Sequence, residues 1–444
     1  MSSEWKRMKI GDLCDQFGAE LQTGPFGSQL HSYDYKETGI PVVPTEAIDD
    51  GKINPDVLPR ISSEKANELS RHLLRQGDIL FARRGAQATG KTAIVRKSDE
   101  GAICGTGAIR LRIEKAKSIA FPSFLATYLS GKETICWIRH HAIGATMPNL
   151  NEGIIRSIPI LLPSLQEQKA ITHILGTLDD KIELNSKINE TLEAMAKALF
   201  KSWFVDFDPV RAKSEGRSTG LPAEISDLFP DSFEDSELGE IPSGWRVGEI
   251  QDIAELNPET WGSRNQPLRV KYLDLSNVKY GKIDCIEEYE WGDAPSRARR
   301  VLKTGDTVVG TVRPGNGSYC LIGEDGITGS TGFAVLRPKN KNDNAFVYLS
   351  SCSRENIDRL AHLADGGAYP AVRPELVAQT PVIVVRREVL DCFSNRISPL
   401  FTAAEKRKQL SKVLCRVRDA LLPKLISGEI RIPDAEKMLE EVGV

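Results

Sequence analysis

Apolar residues recur every seven positions from Leu165 to about Trp203. One stripe runs Ile171, Leu178, Asn185, Leu192, Leu199, and Ile174, Ile188 and Met195 form a second beside it. This spacing predicts a long helix with a coiled-coil seam, broken once by the polar Asn185, and one such break fixes the register. Adding 222 to each number gives Phe393, Leu400, Arg407, Leu414 and Leu421. Four of the five positions are apolar in both sets, and the polar member of the second, Arg407, stands where Asn185 does. At ~1.5 Å per residue, about 39 residues give a helix of roughly 58 Å. If the two helices run antiparallel and centred, Ile171 lies near Leu421, Leu178 near Leu414, and Asn185 near Arg407.

Before each helix the pattern changes to short apolar runs bounded by Gly, Pro and Asp. Ile40–Val43, Asp78–Ala82, Thr92–Val95 and Ile109–Ile113 read as strands. Pro122 to His140 reads as one helix. The second half keeps the same order and several of the same words. Gly51-Lys52-Ile53 returns as Gly281-Lys282-Ile283, Gly77-Asp78 as Gly305-Asp306, and Leu111-Arg112 as Leu336-Arg337. Pro148 and Pro159 return as Pro370 and Pro381, and Trp5-Lys6 as Trp245-Arg246. The offset drifts from 240 to 222, as insertions in surface loops produce. The predicted architecture is α+β. A domain spans 1–163, a helix 164–205, an acidic linker 206–243, a second domain 244–387, a second helix 388–427 and a tail 428–444. A shared frame with divergent loops fits two copies of one reader, each turned to a different target.

Composition narrows the function. A chain of 444 residues with 40% hydrophobic content is long enough for two cores. No apolar run approaches the ~20 residues of a membrane span, and Glu4 and Lys6 stand where a signal peptide would be apolar. The eight cysteines form no C-x-x-C pair, so they read as reduced thiols of a cytoplasmic protein. No cluster shows metal-ligand spacing, and no metal is expected. The net charge of −3 argues against nucleic acid until it is divided. The first domain carries +3, the second +1, and the segment 204–240 carries −7. Such weak positive charge implies that tight DNA binding needs a partner that adds more.

Gly85-Ala-Gln-Ala-Thr-Gly90-Lys91-Thr92 spells a phosphate-binding loop. That loop works only between a strand and a helix whose N-terminus faces the phosphates. Here Ala-Ile-Val follows and predicts a strand, so the reading is a Gly-rich basic hairpin. No nucleophile elbow, methyltransferase Asn-Pro-Pro-aromatic run or nuclease carboxylate spacing occurs, and no catalytic residue is expected. Candidate DNA contacts lie in Gly-rich loops that can donate to phosphates or base edges. In the first domain these are Thr23, Ser28, Arg83, Arg84, Gln87, Lys91, Thr146 and Asn149. In the second they are Arg313, Asn316, Ser318, Tyr369 and Arg373.

Leu162-Pro-Ser-Leu-Gln-Glu-Gln-Lys-Ala-Ile171 and Phe200-Lys-Ser-Trp-Phe-Val-Asp-Phe-Asp-Pro209, with Leu238-Gly-Glu-Ile-Pro-Ser-Gly-Trp245 and Leu421-Leu-Pro-Lys-Leu-Ile-Ser-Gly428, resemble the specificity subunits of type I restriction-modification systems. The resemblance implies two target-recognition domains separated by two long antiparallel coiled-coil helices. Each domain would read one half of a split, asymmetric sequence in double-stranded DNA. Two modification subunits would dock on the assembly and methylate adenine N6 with S-adenosylmethionine. Two restriction subunits would add translocation and cleavage with ATP and Mg. The chain itself would bind no cofactor and catalyse nothing. A scaffold that assembles partner proteins without touching DNA is the alternative.

Overall fold

The computed structural model describes residues 5–442 apart from 50, 86–87, 145–147 and 238. The chain divides into two compact units, one of Met1–Glu183 with Ser411–Val444 and one of Leu184–Leu410.

In the first unit, strands β1 (Glu20–Thr23), β2 (Ile79–Ala82), β3 (Thr92–Ile94) and β4 (Ala108–Arg112) form an antiparallel sheet in the order β1-β4-β2-β3. Side chains alternate across a strand, and the sheet is apolar on both faces. Ile79, Phe81, Ile109 and Leu111 join a core with Phe124 and Ile138. Leu80, Ala82 and Ala108 join another with Val43 and Cys104, which lie in a second four-stranded sheet.

The second unit repeats this plan. Strands β5 (Ala254–Leu256), β6 (Thr307–Gly310), β7 (Tyr319–Leu321) and β8 (Phe333–Pro338) pair in the order β5-β8-β6-β7. Val309, Ala334 and Leu336 face one core, and Val308, Phe333 and Val335 another. A second four-stranded sheet again lies in this unit.

The dipeptides repeated in the sequence meet in space. Asp78 accepts a paired hydrogen bond from Arg112 at 2.8 and 2.6 Å. Asp306 accepts the same pair from Arg337 at 2.8 and 2.8 Å. Each carboxylate also holds a turn, accepting from the backbone N–H of Arg75 or Lys303. The glycine before each Asp sits at φ 91, where a Cβ is disfavoured. The first-half stretch read as one helix is two, Pro122–Leu129 and Lys132–His141. Gly131 is extended, with φ −64 and ψ 144, and starts the second helix afresh.

The long helices are α1 (Leu165–Phe204) and α2 (Arg387–Ser427). In the first unit the start of α1 and the end of α2 share a core through Ile171, Leu178, Leu414 and Leu421. Asp179 pairs there with Arg418 at 2.9 Å. In the second unit the end of α1 and the start of α2 share Ala196, Phe204, Phe393 and Ile397, so the pairing is antiparallel. Ile171, Leu178, Phe393, Leu414 and Leu421 are buried, whereas Leu192, Leu199, Leu400, Asn185 and Arg407 are only half-buried. The Arg407 guanidinium donates to the carbonyl of Ala403 in its own helix at 3.2 Å. Met195, on the second stripe, is 53% exposed.

Residues 206–243 carry helices Asp208–Ser214 and Ala223–Ser226 and a hairpin of Phe233–Ser236 with Gly239–Pro242. Val210, Phe229 and Ile241 enter the same core as Trp203 and Trp245. The tail forms helix Ile432–Val442, whose Ala435 and Leu439 are buried in the first unit.

Candidate nucleic-acid interface

Strand register gathers the candidate loops of the first unit at one end of its sheet. Thr23, the last residue of β1, lies opposite Ile109, and Ala82, the last of β2, opposite Ala108. Thr92, the first residue of β3, lies opposite Phe81. The loops leaving β1 and β2 and those entering β3 and β4 therefore converge. Gly24 packs so closely that a Cβ there would lie 1.9 Å from the Gly105 carbonyl. Bridges from Asn149 to Arg84 and to Ile143 add residues 143 and 149 to this end.

The side chains in this cluster divide between holding the loops and facing solvent. Arg83 turns back, and its Nε–H donates to Asn149 Oδ1 and the Leu150 carbonyl, both at 3.2 Å. Thr89 donates to the Gly85 and Pro148 carbonyls at 2.7 and 2.9 Å. Lys91 pairs with Asp49 at 2.6 Å. Thr23 is half-buried, while Arg84 and Ser28 are exposed. Gln87 and Thr146 lie outside the described residues. The Gly85–Thr92 pattern falls between antiparallel strands, with Thr92 opening β3 rather than a helix. It therefore offers no helix N-terminus to a phosphate, and its lysine is paired with Asp49.

The second unit builds the same end from different residues. Gly310 ends β6 opposite Phe333, and Val312 and Asp365 each bridge to Ala371. Arg313 is exposed and left-handed, with φ 47. Its backbone N–H donates to the Pro370 carbonyl at 2.7 Å and its Nη2 to the Ala368 carbonyl at 2.6 Å. Its guanidinium lies 4.6 Å from the centroid of the Tyr369 ring, within cation–π range. Asn316 and Arg373 are exposed, Arg373 just before helix Pro374–Ala378. Ser318 is half-buried, and its carbonyl accepts from Gly310.

Two framing residues had little signal in the sequence. Asn257 is left-handed (φ 49), and its side chain accepts from the backbone of Val335 at 3.0 Å. Thr45 donates to the Gly107 carbonyl at 2.9 Å. Asn tolerates the left-handed region better than most residues, and that was the one local clue. Among the described residues, no group of three His, Cys, Asp or Glu side chains can hold a metal ion. The described helices include none long and apolar enough to cross a membrane.

Two copies of one sheet, each offering polar and cationic side chains on loops at a single end, define a protein built from duplicated binding domains. Residues 2–194 match the type I restriction modification DNA specificity domain. The chain as a whole is similar to specificity subunits of type I restriction enzymes. It is 25% identical over 410 residues to the type I restriction enzyme HindI specificity subunit of Haemophilus influenzae, covering 80% of this chain and 87% of that one. It is 22% identical over 447 residues to the MjaVIII specificity subunit of Methanocaldococcus jannaschii, covering 97% and 93%. A crystal structure of a type I restriction-modification system S subunit from M. genitalium shares the fold, with a TM-score of 0.56 and 16% identity over 95% of this chain and 96% of that one.

Proposed function

We propose that this chain is the DNA-recognition subunit of a type I restriction-modification assembly, and that each domain reads one half of a bipartite, asymmetric duplex site. The observation that carries this is the pair of equivalent loop clusters. The frame, down to the Asp78–Arg112 and Asp306–Arg337 pairs, is repeated, while the residues offered at the loop ends differ. A stability-only duplication has no need for that contrast. Sequence is read by donors and acceptors aimed at base edges, whereas phosphate contacts position the protein. Arg84, Arg313, Asn316 and Arg373 are exposed donors suited to either task. Arg83, Thr89 and Asn149 are positioning residues that hold the loops.

In this reading the chain supplies specificity and no catalysis. Two modification subunits bring S-adenosylmethionine for adenine N6 methylation, and two restriction subunits bring ATP and Mg for translocation and cleavage of unmodified DNA. The assembly works in the cytoplasm. Weak positive charge on the recognition domains fits shared DNA binding, in which partners supply much of the phosphate neutralisation. The test is methylome sequencing of a host that expresses this chain with its modification subunit, beside one that expresses the modification subunit alone. The expected result is a split motif of methylated adenines that appears only with this chain. A soluble, assembled complex that gives no motif and no salt-sensitive duplex binding would leave a scaffold instead.

A further inference from the structure

Overlaying the two copies through their strand registers sets Arg313 against a glycine. Ile79 and Thr307 lie opposite Leu111 and Leu336 respectively, so counting on six residues from each places Gly85 and Arg313 at the same position. The bridges from Arg84 to Asn149 and from Val312 to Ala371 confirm this register. Both residues are left-handed, Gly85 at φ 109 and Arg313 at φ 47. Glycine adopts such a backbone freely and side chains resist it. Both copies thus take a positive φ at this position, and the second keeps a side chain there at a cost. Strain of this kind, where it is seen, points to a functional demand on the side chain.

The surroundings of Arg313 indicate what is demanded. Its guanidinium is stacked on Tyr369, which is itself 72% exposed. One nitrogen, Nη2, donates to the Ala368 carbonyl, while Nε and Nη1 have no partner among the described residues. A rigid planar fork, fixed on one side and open on the other, suits the O6 and N7 acceptors of guanine in the major groove.

We propose that Arg313, held against Tyr369, reads a guanine in the half-site of the second domain and is a specificity-determining residue there. This rests on the DNA-recognition reading above. The experiment compares methylated motifs made by the full chain with its modification subunit, for the parent and for Arg313→Gly, Arg313→Lys and Tyr369→Leu. Arg313→Gly places at this position the residue the first domain uses, and glycine adopts a positive φ freely, so the protein should melt within about 3 °C of the parent. It should also lose discrimination at one G·C pair of the second half-site by about 10- to 100-fold, with the first half-site unchanged. Arg313→Lys keeps the charge but not the fork, and should relax the same pair. Tyr369→Leu should weaken that pair and no other.

An unchanged motif in all three variants would overturn the inference. So would an even loss across both half-sites, or full retention by Arg313→Lys, which would mark a phosphate contact. If Arg313→Gly fails to fold, Arg313→Lys and Tyr369→Leu decide. A parent complex that yields no motif sinks the recognition reading itself, whereas a clear parent motif that the variants leave intact sinks the role of Arg313 alone.

Discussion

Adjacent side chains in the recognition loops have opposite fates, and the sequence could not separate them. Arg83 and Arg84 are neighbours of one type. Because successive residues of an extended segment point to opposite sides, one ties the loops together and the other faces solvent. Arg84→Ala should weaken binding to DNA carrying the first half-site by roughly tenfold and leave the second half-site untouched, as competition with half-site variants would read. Equal loss at both, or none, would count against it. A second consequence at this scale concerns His72, which is 3% exposed with neither ring nitrogen hydrogen-bonded among the described residues. Burial, then the positive charges of Arg71 and Arg110, push its pKa down to about 4. Unfolded histidine titrates near ~6.5, so the unfolded chain binds the extra proton first and stability falls as pH drops from about 6.5 toward 4. Calorimetry at pH 7 and pH 5 should show a drop in melting temperature of the first unit that is smaller in His72→Leu.

Single bonds become joints between elements. Gln168, fully buried near the start of α1, accepts from Phe121 N–H at 2.8 Å and donates to the carbonyls of Ile119 and Pro163 at 2.9 and 2.8 Å. Gln168→Leu leaves these backbone groups unpartnered and should cost roughly 2–4 kcal/mol, seen as a lower denaturant midpoint with an unchanged slope. The Arg–Asp joints between strands are more severe. Arg112→Met or Arg337→Met strands a carboxylate that is at most 2% exposed, at a cost of about 3–5 kcal/mol. Matching losses in the two copies would show that the frame is repeated in energy as well as in shape. The helices were the most legible elements, because a strict seven-residue stripe has few other solutions. Only the burial along that stripe was not evident, with Leu192, Leu199 and Leu400 half-buried and Met195 exposed. Cysteines placed at 185 and 407 in a cysteine-free background should crosslink on oxidation if the two polar breaks face one another.

Across the whole chain, the duplication was readable from short repeated words, and the reason for those words was not. Gly-Asp and Leu-Arg lie more than thirty residues apart in each copy and become one ion pair only when the sheet forms. The acidic stretch 206–243 shows the opposite limit. Its charge and its Pro and Ser content describe a linker, yet Val210, Phe229 and Ile241 are buried. Their spacing is too irregular to form a periodic signal, because two short helices, a hairpin and the turns between them each place only a few residues in the core. At this scale the charge distribution predicts that duplex binding by the free chain is weak and only shallowly dependent on salt between 50 and 200 mM. Adding the modification subunit should strengthen binding and increase the salt slope. A slope that does not change would mean that the partner adds no phosphate contacts.

One unit is contiguous in the chain, and the other is assembled from the two segments that flank it. On the ribosome this sets an order of events. Ile171 and Leu178 emerge early but lack Leu414, Leu421 and Leu425, their core neighbours, until the far end of the intervening unit has been made. The contiguous unit can close while synthesis continues. A message that stops at codon 411 would therefore spare the later-made unit and leave the earlier-made one with an open apolar flank, the part that chaperones and proteases would find first.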